Sequence, residues 1–148
     1  MKKKIFLLFT LCLLAQWSVA QAPKWVEKAK RAVFPVVTYG ENDKILNTGN
    51  GFFVTEDGVA LSDYSLFKGA QRAVVMNSEG VQMPVVSILG AYDMYDVIKF
   101  RVGISTKKVP ALNPATTAPA VGANVYILPY STQKDRSYTA GQVKAADK

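Results

Sequence analysis

The sequence predicts an all-β protein: a six-stranded antiparallel barrel preceded by a short N-terminal helix and followed by one further hairpin. Three observations lead to this fold class. Six short apolar segments follow one another at roughly ten-residue intervals. The stretches between them carry turn-forming Gly, Asn and Asp and almost no helical pattern. The length of 148 residues is that of a single domain. Evenly spaced short strands of this kind are typical of small barrels.

Residues 1–20 are predicted to be a signal peptide. A basic start at residues 1–4 precedes an apolar run at residues 5–14, which is too short to span a bilayer. Small residues at 18–20 supply a cleavage site and leave Gln21 as the new N-terminus. An uncleaved anchor helix is the alternative. We therefore expect a periplasmic or secreted protein with no stable membrane span after the signal is removed.

The composition excludes several kinds of site. The single cysteine, Cys12, lies inside the predicted signal, and the sequence has no histidine. We therefore predict a mature chain without disulfides, thiol catalysis or cysteine metal sites. No cofactor or metal site is predicted; without histidine, only carboxylate-type metal sites remain open. The net charge of +7, less the lysines at 2, 3 and 4, leaves roughly +4. The one dense basic group, at positions 24, 28, 30 and 31, is interpreted as a solvated helix face, and no nucleic-acid partner is expected.

The mature chain is predicted to begin with an amphipathic helix at residues 23–33. Its apolar residues recur at helical spacing, and we expect Trp25 and Val33 to pack against the barrel. Phe34 and Pro35 end the helix. A homo-oligomer formed through this segment is a further expectation.

Turn and strand signals place the six barrel strands. Asp57 and Gly58 form a strong hairpin signal. Gly49 and Gly51 indicate a bulge or a close backbone approach, and Pro84 indicates an edge position or a bulge. The strands are predicted at residues 36–39, 45–55, 59–61, 73–76, 81–89 and 97–102.

The remainder of the chain is predicted to be a connector and a hairpin. Residues 103–121 are rich in proline and small residues, which is typical of an extended connector. Strands are predicted at residues 123–128 and 137–143. An isolated two-stranded hairpin is only marginally stable in water. The hairpin therefore docks on the barrel, is covered by a partner, or belongs to a truncated copy of a longer protein; truncation or gene decay is the favoured interpretation.

Several motifs in one register resemble trypsin-like serine proteases of the HtrA (Deg) type. They are Gly-Asn-Gly at 49–51, Asp-Gly at 57–58, Lys-Gly-Ala at 68–70, Val-Gly at 121–122 and Thr-Ala-Gly-Gln-Val at 139–143. The resemblance covers almost the whole mature chain. It implies three regions: a first trypsin-like β-barrel with the N-terminal helix, an extended connector, and an incomplete second barrel. Their predicted bounds are residues 21–103, 104–122 and 123–148.

The resemblance also identifies two positions of a degenerate catalytic triad. Ser65 stands where the family carries its histidine, and Asp96 aligns with the triad aspartate. The family's nucleophile segment, Gly-Asn-Ser-Gly-Gly, does not occur in the sequence. An imidazole can both accept and return a proton near neutral pH, whereas an alcohol is a very poor base. We therefore expect no intact catalytic residue, with Asp96 accepting hydrogen bonds from backbone N–H groups or from Ser65. Ser65 acting as a nucleophile with Lys68 as its base is the alternative.

These observations predict an inactive pseudoprotease or a fragment, with no enzymatic activity as this chain. Three alternatives remain: a peptide- or protein-binding module with an open sheet edge, the N-terminal part of a longer serine endopeptidase, and an unrelated β-barrel with chance matches. The partners expected for a binding module are extended peptides or unfolded envelope proteins.

Overall fold

The computed structural model describes residues 23–77, 79–128 and 138–145, so the predicted signal peptide and Gln21 lie outside the described residues. Within them, no helix is long and apolar enough to cross a membrane. The chain begins with helix α1 (Lys24–Lys30), and 3₁₀ turns occur at Glu41–Asp43 and Tyr64–Phe67. The strands are β1 (Val33–Tyr39), β2 (Ile45–Phe53), β3 (Val59–Asp63), β4 (Arg72–Met76), β5 (Gln82–Tyr92), β6 (Val97–Val102), β7 (Asn124–Ile127) and β8 (Thr139–Gln142).

Six of the strands form a closed antiparallel barrel in the order β1–β2–β3–β6–β5–β4. Strand β1 closes it, because Val36 lies opposite Gly49 of β2 on one side and opposite Val75 of β4 on the other. Strands β7 and β8 pair separately as a two-stranded sheet. The predicted all-β fold, with its barrel, short helix and additional hairpin, is confirmed.

The core follows from the alternation of β1. Phe34, Val36 and Thr38 are buried, while the residues between them are half-buried. Successive side chains of a strand point to opposite faces of the sheet, so every second residue of β1 enters the barrel. Phe34 packs against Phe53 with ring centroids 4.6 Å apart, and Phe100 is fully buried in the same cluster. The barrel interior is therefore a packed aromatic and aliphatic core.

Two glycines of β2 are positions of close approach, as predicted. A Cβ at Gly51 would lie 2.8 Å from Cε2 of Phe34 and 2.9 Å from the carbonyl oxygen of Leu61. A Cβ at Gly49 would collide with the side chain of Leu66. Both contacts are tighter than real Cβ atoms show. At Gly51, β2 needs glycine because a ring and a backbone carbonyl come close; at Gly49, the flexible end of the Leu66 side chain would have to move.

The helix prediction needs correction. Helix α1 is shorter than predicted, and Val33 begins β1 and is half-buried there. Val26 and Ala29 form the buried face, while Trp25 is 54% exposed. A short helix buries one stripe of residues three or four apart, and Trp25 lies off that stripe. Its ring instead meets Tyr126 of β7 edge-on, with centroids 5.0 Å apart.

Pro35 lies inside β1, although the sequence indicated that the first strand begins after it. It lies opposite Asn50 of β2, but β4 pairs with β1 only from Val36 onward. Proline removes one backbone donor, which is tolerated where only one neighbouring strand is present.

Pro84 marks a change in β5: it is still paired with Val74 of β4, and the predicted bulges occur in the residues that follow it. The pairing of β4 with β5 ends at Pro84. The register against β6 then shifts between Val85 and Ser87 and again between Ile88 and Gly90. Such bulges bend a strand and increase its twist, so β5 turns away from β4 beyond the proline.

The segment between β6 and β7 contains no helix or strand. It is attached to the barrel by backbone bonds from Val109 N–H to Glu56 C=O at 2.9 Å and from Leu112 N–H to Phe53 C=O at 2.8 Å. The side chains of Ile104, Val109 and Ala111 pack against the core.

We expect Gly51→Ala to destabilise the barrel by about 1–3 kcal/mol, because the added methyl overpacks a site bounded by a ring and a backbone carbonyl. Gly90→Ala is the matched control, since a Cβ there has no atom within 4 Å. Urea unfolding followed by circular dichroism measures both. Equal unfolding free energies for the two variants would contradict the close approach at Gly51.

Candidate functional site

The strand register brings Ser65 and Asp96 together. Strand β3 ends at Asp63, opposite Val97, the first residue of β6. Because the strands are antiparallel, the residues just after Asp63 meet the residue just before Val97. The 3₁₀ turn Tyr64–Phe67 begins there and holds Ser65 next to Asp96.

Asp96 accepts three hydrogen bonds from this turn. Its Oδ1 accepts the backbone N–H of Ser65 at 2.5 Å, and its Oδ2 accepts the Ser65 hydroxyl at 2.8 Å. Its carbonyl oxygen accepts the N–H of Tyr64 at 3.1 Å. Asp96 itself has φ +50°, a left-handed conformation that Asp adopts more readily than most residues. The structure therefore places the two residues singled out from the sequence in direct contact.

Two residues of the neighbouring strands donate hydrogen bonds to the turn from its other side, and a third leaves space for it. The carbonyl oxygen of Leu66 accepts Thr38 Oγ1 at 2.8 Å and Asn47 Nδ2 at 3.2 Å. Thr38 is fully buried, and Gly49 leaves room for the Leu66 side chain. Gly49 was identified from the sequence, but Thr38 and Asn47 were not. Thr38 could have been identified as a polar residue at a position of β1 where the alternation predicts a buried side chain.

Lys68 is not placed as a base for Ser65. Its ammonium lies 2.6 Å from Asp93 Oδ1 and 5.1 Å from the centroid of the Tyr64 ring. The hydrogen bond and the charge of Asp93 raise the pKa of Lys68 above its ordinary value. A raised lysine pKa keeps the ammonium protonated at neutral pH, so the geometry speaks against the Ser65–Lys68 alternative.

A cleft of about 410 Å³ opens beside this turn. It lies between the 3₁₀ turn, the segment leading into β4, and strand β5. Most of its wall is apolar, with a polar rim that includes Gln71. Its volume is within the range of small ligand pockets. Its principal lining residues are Tyr64, Phe67, Arg72, Val86, Ile88 and Ile98.

Within the part of the chain that the structure describes, no three acidic side chains gather closely enough to hold a metal ion. The ionised groups form exposed pairs instead: Lys68 with Asp93 at 2.6 Å, Arg72 with Asp43 at 2.8 Å, Arg101 with Asp57 at 3.1 Å and Lys108 with Glu56 at 2.6 Å.

A sequence profile of the trypsin-like peptidase domain matches residues 49–148, which is more than half of the chain. The chain belongs to the trypsin-like peptidase family. The matched part of this trypsin-like domain starts at Gly49 in β2 and includes Ser65, Asp96 and the β7–β8 hairpin. Among curated proteins, no match to the chain is found.

We expect Asp96→Asn to destabilise the trypsin-like domain by about 1–2 kcal/mol, since it removes the charge that strengthens the hydrogen bonds from Ser65 while keeping a residue type that tolerates the φ of +50°. Asp93→Ala is the control, because it removes only an exposed ion pair. Chemical denaturation measures both variants. Equal effects would contradict a structural role for the Ser65–Asp96 contact.

Proposed function

We propose that this trypsin-like domain is an exported, HtrA-type homologue that does not cleave peptide bonds. The observation that carries the proposal is the occupant of the histidine position. There the Ser65 hydroxyl donates to the Asp96 carboxylate at 2.8 Å, and the sequence contains no histidine at all.

The chemistry of peptide hydrolysis supports this proposal. A serine nucleophile needs a neighbouring base that takes its proton and returns it to the leaving amine, and a carboxylate that orients this base. Asp96 is present, but its two carboxylate oxygens accept the N–H and hydroxyl of Ser65. Lys68, the nearest basic side chain in sequence, is held protonated by Asp93. No group in this arrangement is suited to shuttle a proton.

The HtrA assignment and export rest on the sequence. The glycine-bracketed strand start at 49–51, the turn at 57–58 and the Lys-Gly-Ala at 68–70 keep the HtrA-like frame. The basic and apolar residues 1–14, followed by small residues at 18–20, support a cleaved signal. The signal-like residues 1–20 support a function outside the cytoplasm, and the HtrA-like residues support the family assignment.

We expect the purified chain to leave fluorescein-labelled casein intact and to remain unlabelled by a fluorophosphonate probe, which reacts with activated serines. The reason is the missing proton carrier at position 65. Ser65→Ala is the matched control and should give the same background. Casein cleavage that disappears in Ser65→Ala, or a fluorophosphonate adduct mapped to this chain by mass spectrometry, would overturn the proposal.

We expect the full-length chain, expressed in a bacterium with a general secretory system, to appear outside the cytoplasm with Gln21 as its first residue. Cleavage requires small residues before the scissile bond. Cell fractionation followed by intact-mass measurement tests this. Ala20→Asp is the control and should accumulate unprocessed. A cytoplasmic chain that keeps Met1 would contradict export.

A further inference from the structure

Strand β5 has an unpaired edge. Its pairing with β4 ends at Pro84, whereas its pairing with β6 continues from Val85 to Tyr92. Within residues 23–77, 79–128 and 138–145, no other strand lies against that side of β5. The backbone N–H and C=O groups of residues 85–92 that do not face β6 therefore form an open row of donors and acceptors.

This edge lacks one common protection against pairing, which is charge. Natural proteins commonly block exposed edges with charged side chains, yet β5 contains none over its 11 residues. Its side chains beyond Pro84 are mostly exposed, including Val86 at 57% and Ile88 at 53%. An uncharged, apolar edge is suited to receive another extended strand.

The cleft lies along the same edge. Val85, Val86, Ser87 and Ile88 form one of its walls, and residues 70–73 form the wall across the gap between β4 and β5. A strand added along β5 would run past this opening, with its side chains alternating between the two faces of the sheet. One of those side chains could enter the cleft between Tyr64, Phe67 and Ile98; these three residues supply an apolar lining. The backbone of β5 would form hydrogen bonds with the backbone of the added strand, and the cleft would determine which side chain fits at one position.

The surrounding charges indicate a partner without net charge at this segment. Arg72, which lines the cleft, donates from Nε to Asp43 Oδ1 at 2.8 Å. Its Cζ lies 3.7 Å from the centroid of the Tyr39 ring. Lys68 and Asp93 neutralise each other at 2.6 Å. Burying an unpaired charge against an apolar wall is costly. An uncharged segment complements the apolar cleft, whose one charged lining residue, Arg72, is already paired, better than an acidic or basic one.

We propose that residues 85–92 of β5, together with the adjoining cleft, bind an uncharged extended peptide segment of another protein by strand addition. The segment places one aromatic or branched aliphatic side chain in the cleft. This site lies in the barrel and is separate from the two-stranded sheet formed by β7 and β8. The proposal goes beyond the proposed function, because it holds whether or not the chain cleaves peptide bonds.

The test uses a fluorescein-labelled, capped heptapeptide that alternates threonine with valine and has phenylalanine at its centre. We expect a saturable rise in fluorescence anisotropy with the wild-type chain. Val86→Lys and Ala91→Trp should each weaken binding about tenfold or more, since the first buries an ammonium against the peptide and the second fills the cleft. Ile45→Lys, which changes an exposed aliphatic residue of β2, is the matched control and should bind as the wild type does.

A second probe keeps the test independent of variant folding. The same peptide, N-methylated at alternate backbone nitrogens so that one edge cannot donate hydrogen bonds, should not bind the wild-type chain. Equal binding of the methylated peptide, or no saturable binding of the parent, would overturn the proposal. Sedimentation equilibrium measures self-association. A dimer that is lost in the β5 variants and that prevents peptide binding would show that a second copy occupies the edge, which would also overturn the proposal. Mass spectrometry of the recovered peptide reports cleavage separately, so failure of the proposed function remains distinguishable.

Discussion

Closure of the barrel by β1 is the constraint on which the rest of this structure depends. β1 pairs with β2 along its whole length and with β4 over its second half, so its backbone hydrogen bonds fix the spacing of these two strands. Phe34 fills the interior where β2 needs glycine, and Thr38 reaches the carbonyl of Leu66. The same strand therefore closes the sheet, sets the core and supports the turn that carries Ser65.

The contact between Ser65 and Asp96 has a structural role in the turn that follows β3. A carboxylate at this position has two oxygens that must be solvated or bonded, and leaving a partly buried acceptor unsatisfied is costly. The backbone N–H and hydroxyl of Ser65 meet this need within one residue. The turn is also anchored through Leu66 by Thr38 and Asn47. Its position is thus determined by hydrogen bonds that require no imidazole.

Local patterns predicted the fold well because its strands alternate and its turns carry strong signals. The Asp-Gly at 57–58 forms the β2–β3 turn, and Gly58 adopts φ +96° there. The prediction was less accurate at the helix. Trp25 and Val26 are adjacent and both apolar, so the helical spacing of apolar residues did not show which of them is buried. It also placed the end of β5 too early, since Gly90 and Ala91 suggest a turn but lie within the strand.

The site was predicted in part for a comparable reason. Ser65 and Asp96 could be identified because a family resemblance gave each a position. Thr38 and Asn47 act on Leu66 across 28 and 19 residues of sequence, and no local pattern reports such a distance. The open edge of β5 was equally out of reach, because it depends on where another strand, β4, stops pairing. Long-range register, unlike periodicity, is decided by the closed barrel as a whole.

Two features leave one edge of β5 open in a closed barrel. β5 has 11 residues whereas β4 has 5. In addition, β4 pairs with β5 only as far as Val74 opposite Pro84, although Ala73 and Arg72 of β4 still pair with β1. The two register shifts in β5 beyond Pro84 increase its twist. Bulges that twist an edge hinder its pairing with a second folded copy, whereas an extended peptide can adopt the twist as it binds. The same shifts that open the gap beside Pro84 thus favour an extended, unfolded partner over self-association.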